Sequence, residues 1–347
     1  MNLLNPSYKI VAVVLLAYTL FYGLKTPLAP SVYKVQSSIN ADAVVLDIEL
    51  YNLNAHNSTI DLYLEDDGDK WQAKSIAILD ATHVQAVFEK QARTNRTQNL
   101  FLTYQSANLG GKNSFLNAIQ VPMAYLQNEN QIATAIEKST EWHEGMQVFP
   151  FREQLYETIR NLFFHVPMWF VMLFLSAISL YYSISYLKNP SVRKDMIASQ
   201  AIKVAVLFGA LGLVTGSIWA RFTWGSFWVS QDVKLNGAAI SMLLYLAYLW
   251  LRSATKDDLS RAKLSAVYNI FAFTLMMVFM MILPRMLDSL HPGNGGNPAF
   301  SKYDLDSSLR TVFYPAVLGW ILLAIWILEI RIRLCKIKPS AKSIYGK

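Results

Sequence analysis

The chain has 347 residues, 53% of them hydrophobic and only 16% charged, with a mean hydropathy of +0.26. Such a composition excludes a disordered chain and an ordinary soluble domain, and reads as a membrane protein. The net charge of +7 sits beside apolar runs, so topology explains it and it gives no reason to expect nucleic-acid binding.

Six apolar runs follow one another: Ile10 to Leu28, Leu162 to Leu187, Val204 to Ala220, Leu235 to Leu251, Leu264 to Leu283 and Thr311 to Ile330. Each is near the roughly 17 to 25 residues that a helix needs to cross the hydrocarbon. Lys9 ahead of the first run also suits a signal peptide, but no small-x-small cleavage site stands out before Tyr33, so an uncleaved span is expected. Lys and Arg crowd three segments: Lys188 to Lys203, Arg252 to Lys263, and the tail from Arg331 to Lys347. By the positive-inside bias these face the cytoplasm. Both termini are then cytoplasmic, and segments 30 to 160, 221 to 234 and 285 to 310 lie outside.

Between the first two spans the pattern changes from continuous apolar runs to alternation. Leu46 to Leu50 and Ile60 to Glu65 alternate with period two, and Val84 to Phe88 and Leu100 to Tyr104 are further short runs bounded by turn residues. This predicts a small β-sandwich of somewhat over 100 residues, long enough to close its own core. The only cysteine, Cys335, lies in the tail, so the outer segment has no disulfide and a CxxC redox role is excluded. The expected fold class is an α-helical polytopic membrane protein of six transmembrane helices with an inserted all-β, sandwich-like extracytoplasmic domain. Its expected parts are a first transmembrane helix (1–30), the β-domain (31–146), an interfacial amphipathic helix or linker (147–161, helical over Phe151 to Arg160), a five-helix membrane domain (162–335) and a basic tail (336–347).

The short link Arg221-Phe222-Thr223-Trp224-Gly225-Ser226-Phe227-Trp228-Val229-Ser230-Gln231-Asp232 is unusually aromatic for a connection that normally carries solvated polar residues. Of five histidines, His165 at the start of the second span and His291 just past the fifth adjoin the membrane core, on the same side as this link. Two imidazoles can ligate a haem iron, an aromatic platform with Gly for close approach can cover the porphyrin, and Arg160, Arg221, Lys234 and Arg285 stand where propionates would need cations. Each element also has a plainer reading: interfacial polar anchors for the histidines, an aromatic belt for the tryptophans, snorkelling for the cations. No nucleophile and base pair, phosphate loop or metal cluster of specific spacing supports a conventional enzyme. The spans hold almost no ionisable residues at mid-depth, which counts against a transporter.

The same residues resemble a known family. Arg160, four residues, then His165-Val166-Pro167, with Trp224, Gly225, Trp228, Asp232, Lys234 and the Leu290-His291 pair, resemble the tryptophan-rich "WWD" haem-handling proteins of cytochrome c maturation, most closely the six-span CcmC branch. Two departures stand out: Ser230-Gln231 replaces the Trp before the Asp, with one residue added, and the family has only a short link where the β-domain is inserted. The resemblance implies an assembly factor more than an enzyme, at the bacterial inner (cytoplasmic) membrane with the β-domain and haem site periplasmic. It would hold haem b through His165 and His291 as axial ligands, with Trp224, Gly225, Phe227, Trp228 and Asp232 as platform and Arg160 and Lys234 as propionate or chaperone contacts. Its partners would be a CcmE-like periplasmic haem chaperone, an ABC-type release complex with other maturation subunits, and the lipid bilayer. Alternatives are lyase-like attachment of haem to apocytochrome c, as in the CcsA branch, and a membrane-anchored scaffold that binds a partner without haem.

Overall fold

The computed structural model describes residues 6–39, 43–66, 69–89, 98–119, 142–152, 155–287, 289–291 and 305–345. Parts of the expected β-domain (120–141 among them), residues 292–304 of the last outer segment and the final two tail residues lie outside the described residues. The chain divides into two compact units, Thr26–Tyr156 and Met1–Lys25 with Glu157–Lys347.

The second unit is helical: α1 Ser7–Lys25, α2 His165–Lys188, α3 Val192–Trp224, α4 Val233–Ala254, α5 Asp258–Met277, α6 Leu283–Met286 and α7 Ser307–Tyr345. A single π turn, Val278–Ile282, joins α5 to α6. Among the described residues six helices are long and apolar enough to cross a membrane, in agreement with the six runs of the sequence. α1 is built into this bundle. The Tyr8 hydroxyl donates to Glu329 Oε2 of α7 at 2.6 Å, Lys9 pairs with the same oxygen at 3.1 Å, and Arg333 binds the other.

Within the bundle, polar side chains bond between helices, as a medium without water requires. The Asn269 amide of α5 donates to Ser179 and Ser183 of α2 at 2.8 and 2.9 Å, and Ser179 donates to the Ala198 carbonyl of α3. Arg252 of α4 grips Asp195 of α3 through two bonds of 2.6 and 2.8 Å. α2 approaches α3 closely along Gly209, Gly212 and Gly216. A Cβ at Gly209 would lie 2.7 Å from Met172 Sδ, one at Gly212 would lie 2.8 Å from Trp169 Cε2, and one at Gly216 would lie 2.6 Å from His165 Cε1. Small residues at such spacing are what lets helices pack backbone to side chain in lipid.

The first unit holds strands β1 Ser31–Ile39, β2 Ala43–Tyr51, β3 Thr59–Asp66, β4 Asp69–Gln72, β5 Ser75–Ile78, β6 His83–Glu89, β7 Gln98–Gln105, β8 Leu109–Ile119 and β9 Trp142–Gly145. They form two antiparallel sheets, ordered β1-β2-β6-β5 and β4-β3-β7-β8-β9. Leu46 and Ile48 of β2, Val84 and Phe88 of β6, Leu62 and Leu64 of β3, and Leu100 and Leu102 of β7 share one buried core. The expected sandwich is thus present. Its ends are joined by a bridge between Leu28 and Phe149, and Phe151 packs on Tyr51 with ring centroids 4.9 Å apart. That packing accompanies one difference from expectation: the helix foreseen over Phe151 to Arg160 is a 3-10 segment over Tyr156–Phe163, with Phe149 and Phe151 engaged by Leu28 and Tyr51 instead.

Two stability predictions follow from this packing. Replacing fully buried Leu102 by Ala removes core volume and is expected to cost about 2 to 5 kcal/mol. Thr103→Ala, on the opposite face of the same strand, should stay within about 0.5 kcal/mol; denaturant titration with proteolysis of the Thr26–Tyr156 unit as readout separates the two. At the helix contact, Gly216→Ala should destabilise by about 1 to 3 kcal/mol through overpacking. In a double-mutant cycle with His165→Ala that cost should largely vanish, and purely additive effects would contradict the contact.

Candidate functional site

A cavity of about 340 Å³ opens between α2, α3, α4 and the α5–α6 turn, within the size range of ligand pockets. Val166, Phe170, Leu173, Leu213, Ala238 and Met280 make its wall apolar, and His165, His291, Lys234 and Arg285 bring polar groups to it.

His165 is the first residue of α2, with Pro167 following inside the first turn, where its missing N–H leaves no acceptor unpaired. Its Nδ1 lies 3.0 Å from the Gly212 carbonyl and 3.2 Å from Thr215 Oγ1. A carbonyl oxygen can only accept, so Nδ1 carries the proton and Nε2 keeps its lone pair. Trp169, one turn on, sets its ring edge-on to the imidazole at 6.3 Å and also lines the cavity.

His291 arrives by a different route. Pro284 cannot donate to the carbonyl one turn back, and just ahead of it the helix widens, the Leu283 N–H bonding Val278 five residues away. Gly237 of α4 lets that widened turn come close, since a Cβ there would lie 2.4 Å from the Phe279 carbonyl oxygen. Met280, Met281, Pro284 and Arg285 thereby line the cavity. After α6 the chain folds back, and the His291 ring packs against Trp224 (4.8 Å, 76°) and Trp219 (5.7 Å, 42°), themselves an edge-to-face pair at 4.9 Å.

Asp232 organises this end of the site. Oδ1 accepts the backbone N–H groups of Lys234 and Leu235, both at 3.0 Å, and so caps α4. Oδ2 accepts the Ser289 hydroxyl and the Leu290 N–H, both at 2.8 Å, and Ser289 Oγ in turn accepts the His291 N–H. His291 Nδ1 lies 3.4 Å from Oδ1 and has no hydrogen-bond partner of its own. Burial alone would raise the Asp232 pKa, but the facing His291 and the bonds from Leu235, Ser289 and Leu290 outweigh it and hold the carboxyl well below the usual carboxylate range.

The structure thus brings His165, His291, Trp228 and Lys234 to one cavity and places Trp224 behind His291. The others sit elsewhere. The Asp232 side chain is fully buried and not part of the cavity wall. Gly225 has φ +75° with open space where a Cβ would be, and it ends α3 as a left-handed cap. Phe227 is 58% exposed and lies under the Arg221 guanidinium, which binds the Gly225 carbonyl. Arg160 is held by Glu157 and the Gly23 carbonyl, at 2.5 and 2.9 Å. α3 runs on through Trp224, so the aromatic link proper is Gly225 to Asp232 rather than 221 to 234. The sequence reading missed Trp169, Trp219, Ser289 and the seating of His165 on Gly212 and Thr215. Gly212-x-x-x-Gly216 and the four-residue spacing of His165 and Trp169 were the available signals.

Among the described residues no three His, Cys, Asp or Glu side chains converge on a common metal position. Two imidazoles at an apolar cavity, with Lys234 and Arg285 beside them, suit a flat apolar ligand that brings most of a metal's coordination with it.

The family model described as "Heme exporter protein C" matches residues 111–343, more than half of the chain. Similar proteins of that name include one from Haemophilus influenzae, 30% identical over 147 residues (42% of this chain, 57% of that protein), and one from Paracoccus denitrificans, 27% identical over 187 residues (51% and 72%). Another, from Bradyrhizobium diazoefficiens, is 30% identical over 113 residues (33% and 43%). The chain therefore spans about half the length of the Haemophilus and Bradyrhizobium proteins. On the extent of the family match, this chain belongs to the heme exporter protein C family, with a β-sandwich inserted between its first and second membrane helices.

Proposed function

We propose that the chain receives haem b in the cavity between α2, α3, α4 and the α5–α6 turn and delivers it for cytochrome c maturation. The observation that carries this reading is the meeting of two histidines from separate elements at one apolar cavity that also receives Lys234 and Arg285. His165 and His291 would be the axial ligands, each through Nε2. Trp228, which lines the cavity, would lie against the macrocycle, with Trp224 and Trp219 backing His291. Lys234 and Arg285 would meet the propionates as charge-assisted partners; Arg285 replaces Arg160, whose guanidinium is committed to Glu157 and Gly23. When bound, the haem supplies the iron and the vinyl groups on which transfer depends, while the chain supplies ligation, orientation and exclusion of water.

On the Lys and Arg bias, this end of the bundle would lie on the outer face of the bacterial inner membrane, with both termini inside. A periplasmic haem chaperone and an ABC-type release complex are the partners this reading expects. The β-sandwich, inserted just ahead of His165, is proposed to help dock the acceptor. Deleting residues 36 to 145 should lower acceptor loading, and unchanged loading would remove that role.

The deciding measurement is the absorption spectrum of purified protein, with haem content normalised to protein, beside His165→Ala and His291→Ala. The parent should show a low-spin Soret spectrum, and each variant should lose haem or convert it to a five-coordinate form. A parent that takes up no hemin, or variants with unchanged spectra, would favour a partner-binding scaffold.

A further inference from the structure

We infer that Asp232 is a positioning residue for His291, turning the imidazole so that Nε2 faces the cavity and making that nitrogen the stronger ligand of the two. The inference rests on the haem reading only for the identity of what His291 binds.

A direct role for Asp232 toward a bound ligand does not fit the geometry. Its side chain has no exposure and does not line the cavity, and a carboxylate would repel the acidic edge of a haem. Its contacts join two segments that are 57 residues apart. Oδ1 faces the first N–H groups of α4, and Oδ2 holds Ser289 and Leu290, which immediately precede His291. Lys234 adds a second tie, its Nζ lying 3.4 Å from the His291 carbonyl. The position of the His291 backbone is therefore set by the start of α4.

The ring orientation follows from two further observations. His291 Nδ1 is buried, lacks any hydrogen-bond partner and lies 3.4 Å from Asp232 Oδ1. Trp224 and Trp219 restrict the ring on either side. A carboxylate accepts and cannot donate, so it favours the tautomer with the proton on Nδ1 and a bare Nε2. A small rotation of the ring closes the bond. An imidazole whose far nitrogen faces a carboxylate is a more basic metal ligand than one bonded to a neutral carbonyl, and the neutral carbonyl is what His165 has in Gly212. The higher-charged state of a bound iron is stabilised accordingly.

Asp232→Asn is the informative variant because its remaining oxygen can still cap α4, while the NH2 it turns on Ser289 and Leu290 removes both the anionic partner of His291 and the Oδ2 tie. The midpoint potential of bound haem, by spectroelectrochemistry, should rise in Asp232→Asn by at least a tenfold change in ferrous preference, 59 mV for one electron. An unchanged potential with intact bis-histidine spectra would overturn the inference and leave the haem reading standing; a parent that binds no hemin would instead overturn the haem reading. A second test needs neither variant nor haem. In the ¹⁵N-histidine-labelled full chain in detergent, long-range ¹H–¹⁵N spectra should show His291 as the Nδ1–H tautomer with an unprotonated Nε2. Finding the Nε2–H tautomer would overturn the inference even if Asp232→Asn fails to fold.

Discussion

The site depends first on how closely α2 can approach α3. In hydrocarbon an imidazole N–H has no water to bond, so a histidine at the head of a membrane helix needs an acceptor from a neighbouring helix. Helical carbonyls are normally shielded by the side chains around them. Here Gly212 and Gly216 clear that shield, and the His165 ring enters the space where a Gly216 Cβ would be, reaching the Gly212 carbonyl and the Thr215 hydroxyl. The absence of a side chain at Gly216 thus lets a side chain on α2 reach the Gly212 carbonyl, and with it sets which nitrogen can serve a ligand.

The opposite wall is built by a different device serving the same end. Pro284 cannot complete regular helical bonding, and the π turn ahead of it presents Met280 and Met281 to the cavity. Gly237 brings α4 against the carbonyl of that turn. Asp232 then fastens the chain beyond α6 to the start of α4. Both histidines are held from behind, by backbone in one case and by a carboxylate in the other, and both arrangements fail if the helices separate by the width of a side chain.

Periodicity revealed most of the strands that face two neighbours, though not β8, which begins with Leu109-Gly110-Gly111. The four runs read as strands became β2, β3, β6 and β7, all interior strands whose inward residues enter the common core. The edges β1, β4, β5 and β9 gave no comparable signal, because an edge strand buries less and so need not alternate. The six spans were legible for the same reason, apolar surface being required along their whole length. At the site, residue type and topology located the two histidines, Trp228 and Lys234. Roles were harder to read. Asp232 looked like a ligand contact because it ends an aromatic link, yet hydrogen bonds to segments 57 and 58 residues away determine what it does. Trp219 lay inside an apolar run and gave no sign of contacting His291. Arg160 carried the right charge at the right depth, and only its bonds to Glu157 and Gly23 show that it is spent elsewhere.

The two histidines are unequal in a way that matters for a protein whose proposed task is to let go of what it binds. A pair of equally strong axial ligands held by rigid elements would capture haem and retain it. Here His165 belongs to a regular helix and is backed by a neutral carbonyl, while His291 lies on a short irregular segment and faces an ionised carboxylate. On the proposed reading the stronger ligand stands on the short segment after α6 and the weaker one at the head of a membrane helix. An acceptor that offers its own ligand would compete first at the His165 side, where the opposing bond is weakest.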